Sequence, residues 1–276
     1  MSTATITRED LDDALRAHAG EAALQKALDA AATGERLFQM LGRYVQFNAA
    51  FGPGVANLAG EIGARPWLFQ DRDEPLLFAA DRAAHVASDF FYAAVDEFDD
   101  RLTPWRDTHR TLAQATLKGF AQYLGFDTER LNRLLAPDGS AQRSQAQVFE
   151  GYGIGAALSE EALFRAMGFH TGSEILADRE FTQIDAHLRK AHPDVVAALE
   201  PMKVEMAGER HDAYYWIRIH TGVEIEHFDA ALKGANNALR FYAGETTQAS
   251  LKGYVLDGFR HFAAVQSQFM TDLARA

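Results

Sequence analysis

Apolar residues recur along this chain at spacings of three and four, and strict alternation of apolar and polar positions is rare. Such spacing marks amphipathic helices, whose 3.6-residue period gathers these positions on one face. In ERLFQMLGRYVQFNAAF (35–51) the apolar positions 37, 38, 41, 44, 45 and 47 make one stripe. FGPG at 51–54 should kink or break that helix, because proline lacks a donor and glycine is permissive. Upstream, Thr7 is placed to cap TREDLDDAL, whose acids fill the first turn where the helix dipole favours them. ARPWLFQDRDEP reads as a loop. Further helices are predicted over 77–100 and from a Thr103 cap, with Pro104 at the first helical position, to Gly125. Others follow over 127–135 up to the turn APDGS, over about 142–190 with loosening at Gly151, Gly153 and Gly155, and over HPDVVAALEPM. Two closing helices take 210–243 and 246–274. No strand pair, internal repeat or low-complexity linker stands out. The expectation is one all-α domain over 1–276, a helical bundle with its core in 35–270 and a peripheral N-terminal helix at 7–31.

Composition narrows the function classes. A net charge of −12 without any Lys/Arg run argues against nucleic acid as a partner. The absence of cysteine rules out disulfides, thiolate metal sites and thiol nucleophiles. MSTATITREDLDDAL lacks the basic start and apolar run of a signal peptide, and no apolar stretch reaches the length of a membrane helix. A cytoplasmic protein with no membrane contact is the expectation.

Candidate chemistry sits in WIRIHTGVEIEHF (216–228). On a continuous helix turning about 100° per residue, Glu224 lies about 40° from His220 and His227 about 20° to the other side. The three groups then share one face of an apolar segment, where ionisable groups are costly unless paired or metallated. The bland alternative is a wet polar face on a scaffold helix. Other segments offer matching groups: His170 and Glu174, four apart, in FHTGSEILADREF; Asp96, Glu97, Asp99 and Asp100 in VDEFDD; His109 in RDTHRTL; and His85 and Asp89, also four apart, in DRAAHVASDFF. Singly, each is a structural histidine or a solvated cap. Together they are what a bundle uses to aim carboxylates and imidazoles at one centre, and that donor set suits iron, manganese or zinc. Several rival motifs fail. There is no HExxH, only Glu224–His227 fits Glu-x-x-His, there is no Gly-x-Ser-x-Gly, and no strand precedes GYGIGAA at 151–157.

The His-x3-Glu-x2-His pattern resembles the third core helix of the haem-oxygenase-like di-iron oxidases and oxygenases, with Glu224 where that family usually carries Asp. GSEILADREF ahead of HLRKAHP resembles the second core helix, which puts its ligand on Glu174. FYAAVDEFDD with DTHRTLAQATLKGFAQYLGFD resembles the first core helix and the segment after it, which puts the family's Glu on Glu97 and its His on His109. The spacing between these two is slightly longer than usual, and His85 and Asp89 are the reserve ligands. The resemblance covers roughly 35–270. The cysteine of the thiaminase branch is missing, and a single axial haem histidine would leave the stripe unexplained.

The resemblance implies two Fe(II) ions held by Glu97, His109, Glu174, His220, Glu224 and His227. It further implies dioxygen as co-substrate, an external electron donor and a small-molecule substrate. N-oxygenation of an amino acid or amine in natural-product biosynthesis is the expected reaction. Oxidative C–C cleavage of an amino acid or fatty acid is the alternative. His170 is either a partner of Glu174 or structural, and Trp216, Phe169 and Phe228 are expected in a water-excluding shell. An amino-acid substrate calls for an arginine to grip its carboxylate, for which Arg43, Arg165 and Arg218 are the candidates; a fatty acid calls for a long apolar tunnel. A non-enzymatic scaffold, or a cofactor-free or haem-binding member of the fold, remains as a rival reading. A homodimer is compatible with all of these.

Overall fold

Short polar side chains set where most helices begin. The computed structural model describes residues 4–275 apart from 72, 76, 77, 101, 104, 105, 137 and 138. Thr7 caps α1 (Arg8–Ala14) in a reciprocal capping box with Asp10, and Thr33 caps α3 (Gly34–Asn48) after α2 (Gly20–Ala30). α4 (Phe51–Gly63) follows directly. Asp81 caps α5 (Arg82–Phe98), Thr108 caps α6 (His109–Tyr123) and Asp127 caps α7 (Thr128–Leu134). α8 (Gly139–Gly151) precedes α9 (Glu160–Ala191), which Ser159 caps, and α10 (Pro193–Leu199) starts on its proline. The hairpin β1 (Lys203–Met206) and β2 (Glu209–Asp212) leads to α11 (Tyr215–Ile219), α12 (Glu224–Phe241) and α13 (Gln248–Arg275). Among the described residues the chain is thus all-α apart from one two-stranded antiparallel sheet.

Several expectations need correction. The 7–31 stretch is two helices, and it is not peripheral: Leu11, Leu24 and Leu28 are buried in the core. FGPG breaks the preceding helix as expected, but it also opens α4, where Pro53 sits in the first turn and costs no hydrogen bond. The helix after VDEFDD starts at His109 rather than near Thr103, because Thr108 accepts from the Thr111 amide. Pro104, the Leu77 helix start and part of the APDGS turn lie outside the described residues. The stretch 142–190 is split after Gly151, with Gly153 and Gly155 both at positive φ.

The largest change falls in 203–223. A hairpin was not expected there, yet β1 and β2 pair through a turn at Ala207 and Gly208, both at positive φ (54° and 86°). The expected 210–243 helix is instead α11, a break at 220–223 and α12.

The long helices α9 and α13 form the spine, with α12 lying against α9 and α5, and α11 against α6. Two glycines make the spine possible. A Cβ on Gly168 would lie 1.8 Å from the Val255 carbonyl oxygen, and one on Gly258 would lie 1.8 Å from that of Arg165. The two backbones therefore approach more closely than any side chain allows. No helix among the described residues is long and apolar enough to cross a membrane.

Candidate metal centre

Five elements each deliver acid or imidazole to one buried chamber. From the end of α5 comes Glu97, from the first turn of α6 His109, from the middle of α9 Glu174, from the end of α11 His220, and from the first turn of α12 Glu224 and His227. One ligand atom from each of Glu97, His109 and His220 lies within 4.8 Å of the others, and the same holds for Glu174, Glu224 and His227. His220 Nε2 stands 3.3 Å from Glu224 Oε1 and so links the trios. A void of about 30 Å³ touches Glu97, Glu174, His220 and Glu224 together.

Two of the three imidazoles are held by a hydrogen bond to the far nitrogen. His220 Nδ1 lies 2.6 Å from the Trp216 carbonyl, four residues back, which leaves Nε2 toward Glu224. His227 Nε2 lies 3.0 Å from Asp96 Oδ2, which turns Nδ1 toward Glu224 at 3.1 Å and Glu174 at 3.5 Å. His109 Nδ1 is 3.2 Å from Glu97 Oε1, and its Nε2 is 3.6 Å from Asp100 Oδ2, with neither of the latter two atoms hydrogen-bonded. The outer carbonyl behind His220 and the outer carboxylate behind His227 are the arrangement that fixes the tautomer and orientation of metal-binding histidines. Phe181 stacks on His220 at 4.3 Å and Trp216 packs on its edge.

Electrostatics also fit a cation pair. Burial works against protonating His109, yet Glu97 and Asp100 outweigh it and lift the imidazole to about 10. Burial is likewise overcome at His227, where Asp96, Glu174 and Glu224 hold the proton on. His220 goes the other way: burial and the neighbouring His109 charge press it well below its ordinary value. Burial and the charge of Glu174 push Glu224 up, while Glu174, despite its own burial, is drawn down by His170 and His227. With no metal, protons on His109 and His227 supply the positive charge that this acid-rich chamber needs. Divalent cations would supply it instead.

All six residues expected as ligands therefore meet in one chamber, although the straight-helix argument for three of them does not hold. His220 is separated from Glu224 by the break at 220–223, and the two converge because that break keeps their side chains on the same side of the chamber. His170 lies behind Glu174, Nδ1 to Oε1 at 3.1 Å, with Tyr152 Oη 3.0 Å from the same nitrogen. The reserve ligands are elsewhere: Asp89 binds Lys233 and Asn237, and His85 faces Arg82 and Phe241. Phe169 packs on Tyr152 rather than on a ligand.

None of the three arginines expected to grip a substrate lines the chamber. Arg43 lines a separate cleft with Leu273, Arg165 pairs with Glu161 and Asp257, and exposed Arg218 lies over Tyr215. Arg110 was missed and is well placed. A cavity of about 220 Å³ beside Glu97, His109 and His220 is walled by Val45, Ala49, Pro53 and Trp216 and includes Arg110. Arg110 is solvent-exposed over part of its length, yet its guanidinium donates to the Val45 carbonyl at 2.7 Å; partial desolvation lowers its basicity, with no acid compensating. The only sequence signal was its position beside His109 in a helix's first turn.

No family model and no curated protein matches the chain. Among solved structures, a CADD-like protein of unknown function from Nostoc punctiforme PCC 73102 is similar over 97% of this chain and 95% of that one, with a TM-score of 0.63 and 14% identity. At that identity the likeness extends to the fold.

Proposed function

We propose that this chain is a non-haem di-iron oxidase or oxygenase of the haem-oxygenase-like kind, acting with dioxygen on a small amino acid and oxygenating its nitrogen. The observation that carries the reading is the convergence of three buried imidazoles, two of them hydrogen-bonded to an outer partner, with three carboxylates in two linked trios. The sequence resemblance selects the same six residues. Glu97, His109 and His220 would hold one ion, and Glu174, Glu224 and His227 the other. An iron pair bound there would supply dioxygen reduction and oxidation of the substrate. N-oxygenation puts one oxygen atom of O2 on nitrogen and releases the other as water, which consumes two protons and two electrons from an external donor.

The chain's own residues account for the rest. Asp96 orients His227 and the Trp216 carbonyl orients His220, while Asp100 lies 3.6 Å behind His109. Phe181, Trp216 and the apolar wall of the larger cavity keep bulk water from the reacting atoms. Arg110 supplies a fork for a carboxylate at the cavity beside the first trio. At about 220 Å³ the cavity falls below the roughly 300–1,000 Å³ of most ligand sites, which favours an amino acid over a long fatty acid.

Anaerobic titration with ferrous iron tests the reading directly. About two irons per chain are expected, followed by dioxygen uptake that depends on an amino acid from a panel that includes amines and fatty acids. Failure to take up iron would return the chain to the scaffold reading, and a Soret band on reconstitution with haem would favour a haem-binding member of the fold.

A further inference from the structure

A second cluster of ligand-type side chains lies outside the chamber, where the hairpin meets the segment joining α5 to α6. On β2, Glu209 and His211 are two residues apart and project from the same face of the strand. Asp107 reaches them from just ahead of α6. One ligand atom of each lies within 4.8 Å of the other two, against roughly 3–3.5 Å between ligands bound about 2.1 Å from a zinc ion. Small side-chain adjustments close the difference.

What singles this cluster out is the state of His211. The residue is 3% exposed and Asp107 8%. His211 Nδ1 stands 3.0 Å from Asp107 Oδ1, yet the two are out of line for a hydrogen bond and the nitrogen has no other partner. A buried imidazole nitrogen left unsatisfied is costly. A cation between it and the two carboxylates would satisfy all three, and exposed Glu209 gives that cation a way in.

We propose that Asp107, Glu209 and His211 form a separate site for one divalent transition cation of the zinc class, whose taste for mixed imidazole and carboxylate donors matches this set. The cation ties the hairpin to the segment that carries Asp100 and His109. That segment is already closed on itself by the Asp100 amide donating to the Asp107 carbonyl at 2.8 Å, and Lys118 reaches from α6 to the Glu205 carbonyl of β1. The site braces the approach to the chamber, and it stands whether or not the deeper trios take iron.

The test is zinc stoichiometry of the full, metal-depleted chain, read by competition with a chromophoric chelator, for the wild type and for Glu209→Gln, Asp107→Asn and His211→Ala. Each variant is expected to bind one zinc fewer than the wild type while every other equivalent is retained. Cobalt loaded in place of zinc should lose the matching part of its visible absorption in Glu209→Gln. Glu209 is exposed on a hairpin, so its variant reports even where His211→Ala does not fold. Wild-type stoichiometry and cobalt spectrum in both Glu209→Gln and Asp107→Asn would overturn the proposal.

Discussion

Asp96 Oδ2 lies 3.0 Å from His227 Nε2, and this contact decides which nitrogen of His227 faces Glu174 and Glu224. The carboxylate crosses from α5 to α12, so one residue of the acidic run at the α5 end fixes a candidate ligand on another helix. Asp96→Asn preserves the shape but offers an amide where an anion stood. Removing such outer partners typically costs 10–100-fold in metal affinity. Iron affinity measured by chelator competition should fall by that factor with the circular dichroism spectrum unchanged. Unaltered affinity would show that Asp96 does not tune the ligand.

Proton release should accompany metal uptake. His109 is lifted to about 10 and His227 is raised as well, so both are charged in the metal-free chain at neutral pH. A metal must displace those protons. Apparent affinity therefore weakens as pH falls. Calorimetric titrations with manganese at pH 7, in buffers of different ionisation heats, should show more than one proton released per chain. Heats independent of buffer would mean that His109 and His227 are already neutral in the metal-free chain.

The candidate ligands were legible because imidazole and carboxylate at three- and four-residue spacing are rare on apolar helical segments. Glu174 and the 220–227 group stand out in this way, and the structure brings them together. The path between them was not legible. The strands KVEM and ERHD are four residues each, and their Ala-Gly turn carries a weaker hairpin signal than Asn-Gly. The break at 220–223 was hidden because helical spacing of His220, Glu224 and His227 survives it. Arg110 has no local pattern beyond its place next to His109, since its setting depends on Val45 and the cavity wall, which are distant in sequence. Nothing in the local sequence of Gly168 or Gly258 signals that the two backbones touch there.

That contact yields a paired prediction on one helix. In Gly258→Ala the new methyl meets the Arg165 carbonyl oxygen at 1.8 Å, and backbone cannot move aside as a side chain would. Alanine's better helix propensity, worth about 1 kcal/mol, is outweighed by overpacking of about 3 kcal/mol or more. Gly253→Ala, also on α13 and with nothing within 4 Å of its Cβ, should instead stabilise by up to about 1 kcal/mol. Urea denaturation of the two variants checks the opposite signs.

Arg110 should act on substrate and not on metal. Arg110→Gln removes the guanidinium at the cavity while leaving all six candidate ligands in place. KM for an amino-acid substrate should rise about 10–100-fold, the scale of a charge-assisted hydrogen bond of about 1.5–3 kcal/mol, with iron content unchanged. Arg110→Lys should recover only part of the loss, because an ammonium cannot offer the two-pronged contact. An unchanged KM in both variants would remove Arg110 from the substrate site.

Glu180 supplies a stability prediction with a definite sign. It sits on α9, receives hydrogen bonds from Tyr44 at 2.5 Å and Gln266 at 2.7 Å, and is nonetheless raised by burial from 4.5 to about 7. Between those values the folded chain holds a proton that the unfolded chain has lost. The Glu180 contribution to folding stability therefore falls as pH rises from about 4.5, and it levels off above 7. The full swing is about 3 kcal/mol. Glu180→Gln has no such proton to lose, and any cost of its altered hydrogen bonds is the same at every pH. The stability of Glu180→Gln relative to wild type should thus improve by about 3 kcal/mol between pH 4.5 and 7.5, read from urea unfolding across that range. A difference that stays flat with pH would mean that Glu180 ionises normally in the folded chain.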